Sequence, residues 1–265
     1  MLDKDASFSL GSTPPLPSGK RVFAGARLRQ AVLWCELAPG SVISEPALME
    51  RYGLNRAGVR AALVGLEAEG LVEARPRAGW QIRPVTGAYI GETIAARRAI
   101  EPALPIGALR DDVIARVKEL SQLIAVFVGR TESTAITTAR AYDRELLDVL
   151  ASGLGEMRRR WIGEAWDHSD RIVRFFESGG AARLGPVDRA PLAAACAARD
   201  TDSAIAALAT ATDRLEAFVK DALYADMAEI VRPAAKPTRA RRRQEPARQD
   251  EGTRREPPQP RGRLR

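Results

Sequence analysis

The sequence predicts a mainly α-helical protein: a short helical unit closed by one small β-hairpin, then an all-α helical bundle. Three observations predict it. Apolar residues recur at helical spacing through most of residues 22–228, as they do in helices that bury one face. Residues 71–83 instead alternate apolar and polar side chains around a Pro/Gly turn, the pattern of a hairpin. Between Ala88 and Ala228 no strand pattern returns, and Ala, Leu, Arg and Glu dominate.

Residues 1–20 are rich in Ser, Gly and Pro and form an expected flexible leader, with order beginning near Arg21. A first helix is expected over Val22–Leu37, with Leu28, Val32 and Cys35 on one face and Pro39-Gly40 as its stop. Ser44 caps a second helix, Glu45–Tyr52, which Gly53 closes. Asn55 caps a third, Arg56–Glu69, whose Val59, Ala62, Leu63 and Leu66 make one buried stripe before Gly70 ends it. Leu71–Ala74 and Trp80–Arg83 then pair across the turn Arg75-Pro76-Arg77-Ala78-Gly79. A helix, a helix–turn–helix and a hairpin in that order make a winged helix–turn–helix.

Residues 84–87 are a short linker. The chain from 88 to 230 reads as six or seven helices, broken near Pro102–Pro105, Gly129–Thr131, Gly153–Gly155, Gly179–Pro186 and Asp200. The expected units are therefore 21–86 and 88–230. Residues 231–265 are rich in Arg, Pro, Gln and Glu with few apolar side chains, the composition of a disordered basic tail.

Charge is placed unevenly. The chain carries 41 Lys/Arg against 34 Asp/Glu, a net charge of +7. Residues 233–265 hold 11 basic and 4 acidic side chains, residues 20–83 hold 10 and 6, and residues 84–232 hold 19 and 22. A basic front invites a polyanion such as nucleic acid; an acidic middle does not. Cys35 and Cys196 lie far apart with no CxxC spacing, which fits a reducing cytoplasm and two thiols packed as small hydrophobes. The apolar runs Leu192–Ala198 and Ala204–Ala209 fall well short of the roughly 20 residues of a membrane helix. The start, MLDKDASFSL, lacks the basic and apolar regions of a secretory signal. A cytoplasmic protein without a membrane partner is expected.

The second helix of a helix–turn–helix enters the major groove with its N-terminal residues at the base edges. Here that helix begins Asn55-Arg56-Ala57-Gly58-Val59-Arg60. Arg56 and Arg60, four apart, share a face that flanks the apolar stripe. Arginine suits bidentate contact with guanine or phosphate, and the helix N-terminus offers free N–H groups to a phosphate. The turn adds Arg75, Arg77 and Gly79, where backbone can approach the sugar–phosphate chain. Two arginines by themselves also suit a merely solvated face; the caps, the preceding helix and the basic-tipped hairpin favour DNA contact.

From Arg27 to Pro84 the chain resembles the winged helix–turn–helix of the GntR family of bacterial transcription regulators. The family pattern appears here as LRQAVLWCELAPGSVISEPALMERYGLNRAGVRAALVGLEAEGLVEARPRAGWQI. The resemblance implies that Arg56 and Arg60 are the principal DNA-contacting arginines and Gly79 the wing-tip glycine. The DNA-binding candidates are thus Asn55, Arg56, Ala57, Arg60, Arg75, Arg77 and Gly79. The family's Ser-Arg-Thr-Pro is Asn55-Arg56-Ala57-Gly58 in this chain, which removes a hydroxyl contact at Ala57, and its Glu after the second Arg is Ala61. Both changes bear on operator sequence or affinity.

Ile90–Glu101, IGETIAARRAIE, resembles the entry to the FCD ligand-binding domain of the FadR-type subfamily, with Arg97 and Glu101 at its anchor points. That resemblance implies an α-helical bundle that dimerises and binds a small organic-acid or sugar-acid effector, in many members beside a metal held by one Asp and three His. This chain has one histidine, His168. The family's D..FH falls on Ala139-Arg140-Ala141-Tyr142-Asp143, its EH on Asp188-Arg189, and its last His near Ala211–Asp213. No metal or other cofactor is therefore expected, the alternative being a carboxylate-only Mg²⁺ or Ca²⁺ site on Asp143. Arg189, at a former ligand position, could fork an effector carboxylate. It could equally be surface-exposed or internally paired, or the pocket could be degenerate.

Trp166-Asp167-His168-Ser169-Asp170 holds Ser, His and Asp, but neighbours on a helix diverge and no GxSxG elbow occurs, so no catalytic triad and no enzyme is expected. Asp143, Asp148 and Asp170 read as solvated helix faces, Arg158-Arg159-Arg160 as a surface run. The effector-binding candidates are Arg97, Asp143, His168 and Arg189. Together with these residues, the two resemblances imply a homodimeric, DNA-binding repressor that acts on a short inverted-repeat operator in double-stranded DNA and is released by a small anionic metabolite. The alternative is a ligand-binding or interaction protein with only non-specific DNA affinity through its basic tail.

Overall fold

The computed structural model describes residues 18–180 and 183–231, with side-chain surroundings from Val22 to Tyr224 on either side of that gap. The basic tail 232–265 and residues 1–17 of the leader lie outside the described residues. The chain is mainly helical. Nine α-helices and one three-stranded sheet occur among the described residues, and none of these helices is long and apolar enough to cross a membrane.

The first helix, α1, spans Ser18–Leu33. It starts three residues before the expected onset of order, because extending a helix already anchored by packing adds a hydrogen bond per residue at little cost. It also stops four residues early. Cys35 adopts a left-handed backbone, φ 57°, and the Leu37 N–H turns back onto the Ala31 carbonyl at 3.1 Å. The thiol is consequently only half-buried rather than packed inside, whereas Cys196 is fully buried. Burial raises the pKa of both thiols, that of Cys196 to about 11.

Caps set the next two helices where the sequence places them. In α2, Glu45–Tyr52, the Ser44 hydroxyl accepts from the Ala47 N–H, and left-handed Gly53 (φ 63°) closes the helix. In α3, Arg56–Ala68, Asn55 Oδ1 accepts from the Gly58 N–H at 2.7 Å. Such a side-chain cap is worth about 1 kcal/mol. The α3 stripe Val59, Ala62, Leu63 and Leu66 packs with Leu28, Ala31 and Val32 of α1 and with Leu48 of α2 in one core.

The hairpin is β2, Val72–Arg75, paired antiparallel with β3, Gly79–Ile82. A third strand, β1, Val42–Ile43, pairs with the free edge of β3, with Ile43 opposite Trp80. It is only two residues long, too short for alternation to reveal in the sequence.

After Pro84, Thr86 caps α4, Gly87–Ile100. Two 3₁₀ turns, Glu101–Ala103 and Ile106–Ala108, lead to α5, Asp111–Ala125. Then follow α6, Ser133–Ala151; α7, Glu156–Ser178; α8, Ala190–Ala198; and α9, Thr201–Val231. The breaks fall where Pro, Gly and Asp200 place them. One core joins α5, α6, α8 and the first half of α9, with Ile162 and Trp166 of α7. A second joins α4, the end of α7 and the second half of α9.

The two helical sets meet where α1 lies on α7. Arg29 of α1 reaches Asp167 of α7 at 2.7 Å, the Arg174 guanidinium stacks 4.6 Å over the Trp34 ring, and Arg171 donates to the Arg83 carbonyl at the end of the wing.

Gly79 is the tightest glycine in the chain's small sheet. A Cβ there would stand 2.6 Å from the Ile43 carbonyl oxygen, and φ is +107°. Gly79→Ala should therefore destabilise the protein by at least about 2 kcal/mol, from left-handed strain and a backbone clash together. A urea or thermal unfolding curve would show it; a loss under 0.5 kcal/mol would mean that the wing root gives way freely.

Candidate nucleic-acid interface and bundle cavity

The first two turns of α3 are exposed on one side. Arg56 and Arg60 have side chains 70% and 60% exposed, and Ala57 is exposed beside them. Glu45, the first residue of α2, organises the two arginines. Its carboxylate accepts from Arg60 Nε at 3.0 and 2.9 Å and lies 3.7 Å from Arg56 Nε. Both contacts use Nε, so the two outer guanidinium nitrogens of each arginine stay available to a base edge or a phosphate. Sequence reasoning treated Glu45 only as a helix start; an acid just before an Arg-x-x-x-Arg helix was the signal for its second role.

The wing root closes on the same place. The Cβ that Gly79 lacks would stand 3.5 Å from Ser44 Cα, and Ser44 is the cap that precedes Glu45. Wing and recognition helix thus share one anchor, the Ile43–Glu45 corner. At the tip, the Ala78 N–H returns to the Arg75 carbonyl at 3.0 Å, with Pro76 and then Arg77 at φ 63°. This is the pattern of a type II turn, whose third position favours glycine. Arg77 holds it instead, exposed, a strained backbone carrying a cation at the tip. Arg75 turns back along the sheet to Gln81 Oε1, 2.8 Å from its Nε, and to Glu73 at 3.1 Å. Asn55 is committed through Oδ1 to its cap. Of the seven residues singled out for DNA, Arg56 and Arg60 present their outer guanidinium nitrogens while Nε faces Glu45, Arg77 is exposed, Asn55 and Gly79 shape the backbone, Arg75 is tied to the sheet, and Ala57 offers only a methyl group.

Arg97 of α4, Asp143 of α6 and Arg189 ahead of α8 line one cavity in the bundle, of about 80 Å³. Asp143 receives both edges of a fork from Arg189, Nε at 2.5 Å and Nη2 at 2.9 Å, so it is engaged by a cation and does not stand ready for a metal ion. Among the described residues no group of three or more His, Cys, Asp or Glu is placed to hold one. Arg97 is buried on Glu101, Nε to Oε1 at 2.7 Å. Glu101 also accepts from Trp166 Nε1 at 2.9 Å and from Thr212 at 3.4 Å.

His168 lies elsewhere. It faces the space between α4 and α7 with Tyr89 and Trp161 and shares a 2.6 Å hydrogen bond between Nδ1 and the Tyr89 hydroxyl. Burial, with Arg171 and Arg83 beside it, depresses its pKa to about 4. Asp170, missed as a cavity residue, opens onto the cavity wall. Its side chain is exposed, as a solvated helix face would be, and Arg144 and Arg174 favour its ionised form.

A capped second helix, an arginine pair beside a carboxylate and a basic-tipped hairpin give residues 18–82 the architecture of a winged helix–turn–helix. Residues 20–82 match the model described as bacterial regulatory proteins, gntR family. An HTH-type transcriptional regulator in an unstable DNA locus of Streptomyces ambofaciens is 37% identical over 99 residues, 33% of this chain and 42% of that protein. The HTH-type transcriptional repressor RspR of Escherichia coli K12 is 32% identical over 77 residues, 29% of this chain and 34% of that one. The chain thus spans about two fifths or less of the length of these relatives. Two solved structures share the wider fold. Escherichia coli McbR/YncC superposes with a TM-score of 0.60 at 17% identity, covering 76% of this chain and 97% of that one. A GntR regulator from Rhodococcus sp. RHA1 gives 0.50 at 19% identity, covering 81% and 100%.

His168 carries a pH signature. The imidazole is held near 4, below its ordinary 6.5, so its contribution is complete above pH 6.5 and is lost as pH falls toward 4. Chemical denaturation at pH 4 and 7.5 should show His168→Asn losing less stability than the parent on acidification, by up to about 3 kcal/mol. Parallel curves for the two proteins would contradict this assignment.

Proposed function

We propose that this chain is a DNA-binding transcription regulator, a homodimeric repressor whose two heads read a short inverted repeat and release it when a small carboxylate-bearing metabolite enters the bundle cavity. The observation that carries the reading is the Glu45 clamp, which sets Arg56 and Arg60 side by side at the N-terminus of α3 with their outer nitrogens free. The units are the head, 21–86, and the FCD-like bundle, 88–230. The names of the relatives, an HTH-type transcriptional regulator and an HTH-type transcriptional repressor, support the same reading, as does the match of residues 20–82. The site of action is the cytoplasm, at DNA.

A continuous line of ion pairs connects the cavity with the far end of the recognition helix. Arg144, on the cavity wall, donates to Asp167. Asp167 accepts from Arg29 at 2.7 Å, and Arg29 Nε bonds Glu69, which closes α3, at 2.6 Å. An effector that draws Arg144 away weakens this line and loosens the head. Coupling of that kind is usually worth about 1–3 kcal/mol.

Four outcomes test the reading. The full chain, titrated with DNA from upstream of its own gene at physiological salt, should prefer it over an unrelated duplex by about 10³-fold or more; equal binding would leave only tail-driven, non-specific affinity. Arg60→Ala should weaken the specific complex by about 1–3 kcal/mol. Arg77→Gly, which relieves the left-handed backbone, should leave stability nearly unchanged and reduce the salt dependence of binding by about one ion. With no effector present, Asp167→Asn should mimic release and lower operator affinity by about 5–150-fold, although Asp167 lies on α7, away from the DNA-facing arginines. Unchanged affinity would remove the ion-pair line from the mechanism.

A further inference from the structure

The bundle cavity is lined by four arginines, and each already has an acid. Arg97 is held by Glu101, Arg140 by Glu177, Arg144 by Asp148 and Asp167, and Arg189 by Asp143. The pairing leaves one gap. Asp143 takes Nε and Nη2 of Arg189, which leaves the two N–H groups of Nη1 outside the fork. Nη1 has no hydrogen-bond partner among the described residues, and Arg189 is 2% exposed, so bulk water does not supply one. A buried guanidinium N–H left unpaired is costly and rare, and this one belongs to a residue of the cavity wall.

One unpaired donor nitrogen is a seat for one carboxylate. A second carboxylate on the same ligand would meet only arginines whose acids it must displace, and displacing an acid strands its charge on the wall. Polar neighbours are engaged as well. The Ser169 hydroxyl donates to the Ala165 carbonyl at 2.9 Å, and Trp166 Nε1 donates to Glu101 at 2.9 Å. The rest of the wall includes Ile124, Leu147, Val173 and Leu215, which suit an alkyl chain. A ligand hydroxyl set among them would lose its water and gain no partner. The volume, about 80 Å³, corresponds to roughly five to eight water-sized groups at ~10–15 Å³ each. A carboxylate fills about three of those places, which leaves roughly two to five for the chain.

Resting on the reading of this cavity as the effector site, we infer that its ligand is a short alkyl monocarboxylate of about three to six carbons, with no second charge and no hydroxyl. Its carboxylate accepts from Arg189 Nη1, and its chain lies against Ile124, Leu147, Val173 and Leu215. Arg189 is the specificity-determining residue. It prefers the acid to the neutral amide of the same chain, because a hydrogen bond between ionised groups is about twice as strong as one between neutral groups.

The test uses the full chain at pH 7.5 and constant ionic strength. The probes are propionate, butyrate and hexanoate, against butanamide, 2-hydroxybutyrate, succinate and gluconate. Calorimetric titration and the rise in melting temperature are the readouts. At least one alkyl acid should bind, and each of the other four probes should bind at least about tenfold more weakly than the best of them. Arg189→Lys keeps a cation beside Asp143 and removes the free guanidinium nitrogen, so it should lose at least about tenfold in affinity for that acid. Leu147→Ala leaves the guanidinium in place and widens the apolar wall, so it should move the preference toward longer acids, octanoate over butyrate. Circular dichroism checks that each variant folds, and the ranking of probes on the parent chain decides the matter if either does not. Succinate, gluconate, 2-hydroxybutyrate or butanamide binding as tightly as the best alkyl acid would overturn the inference and leave the effector cavity standing. Undiminished affinity in folded Arg189→Lys, or an unmoved chain-length preference in folded Leu147→Ala, would overturn it too. Silence from every probe would remove both the inference and the cavity's role as an effector site.

Discussion

A guanidinium shut away from water sits where the head meets the bundle, and the relation between the two halves turns on it. Arg171 of α7 is 0% exposed. One of its nitrogens, Nη2, donates to the Arg83 carbonyl, the last residue before the linker proline, and its guanidinium lies 5.4 Å from the centroid of the Tyr89 ring. Nε and Nη1 have no partner among the described residues. A buried charge so incompletely satisfied carries a desolvation penalty, so the docked head is held less firmly than its contacts with α7 suggest. The Arg29–Asp167 pair and the Trp34–Arg174 stack pull the head down; Arg171 subtracts from that gain. An interface balanced in this way is one that a modest change on α7 can shift.

The same helix borders the cavity. Asp167 faces α1, while Trp166, Ser169, Asp170 and Val173 face the cavity and Trp161, Ala165 and His168 face α4. Helical geometry distributes these roles. Residues three, four or seven apart share a face and residues two apart do not, so His168 and Asp170 serve different spaces. The short run of Trp, Asp, His, Ser and Asp that looks like a catalytic cluster in one dimension is a three-way junction in space.

Local chemistry was legible in the sequence, and distant pairing was not. Ser44, Gly53 and Asn55 announce the bounds of two helices because a cap acts within three residues. The hairpin is visible because its turn and its alternation are contiguous. By contrast, Cys35 stops α1 in a left-handed conformation, and Arg77 takes a turn position that favours glycine, both against their usual preferences, so neither is visible in advance. The Asp143–Arg189 fork joins residues 46 apart, and Glu45 reaches Arg60 across 15. Each residue was recognisable as a candidate or a helix boundary; which group neutralises which depends on how the helices pack. That dependence is the reason Arg189 could be named but its partner could not.

Packing also decides what the cavity can recognise. When an arginine and an aspartate on its wall neutralise each other, they fix its shape without supplying selectivity, since a ligand must break a buried fork to use either one. Selectivity passes to whatever the internal pairing leaves over. In this bundle the pairing is nearly complete, Glu101 alone accepting from Arg97, Trp166 and Thr212, so few groups remain to do it. The arginine count of a cavity is therefore a poor guide to the charge of its ligand: the four arginines here suggest a multiply charged anion until their acidic partners are subtracted, and of their buried nitrogens only Arg189 Nη1 is left without a partner among the described residues.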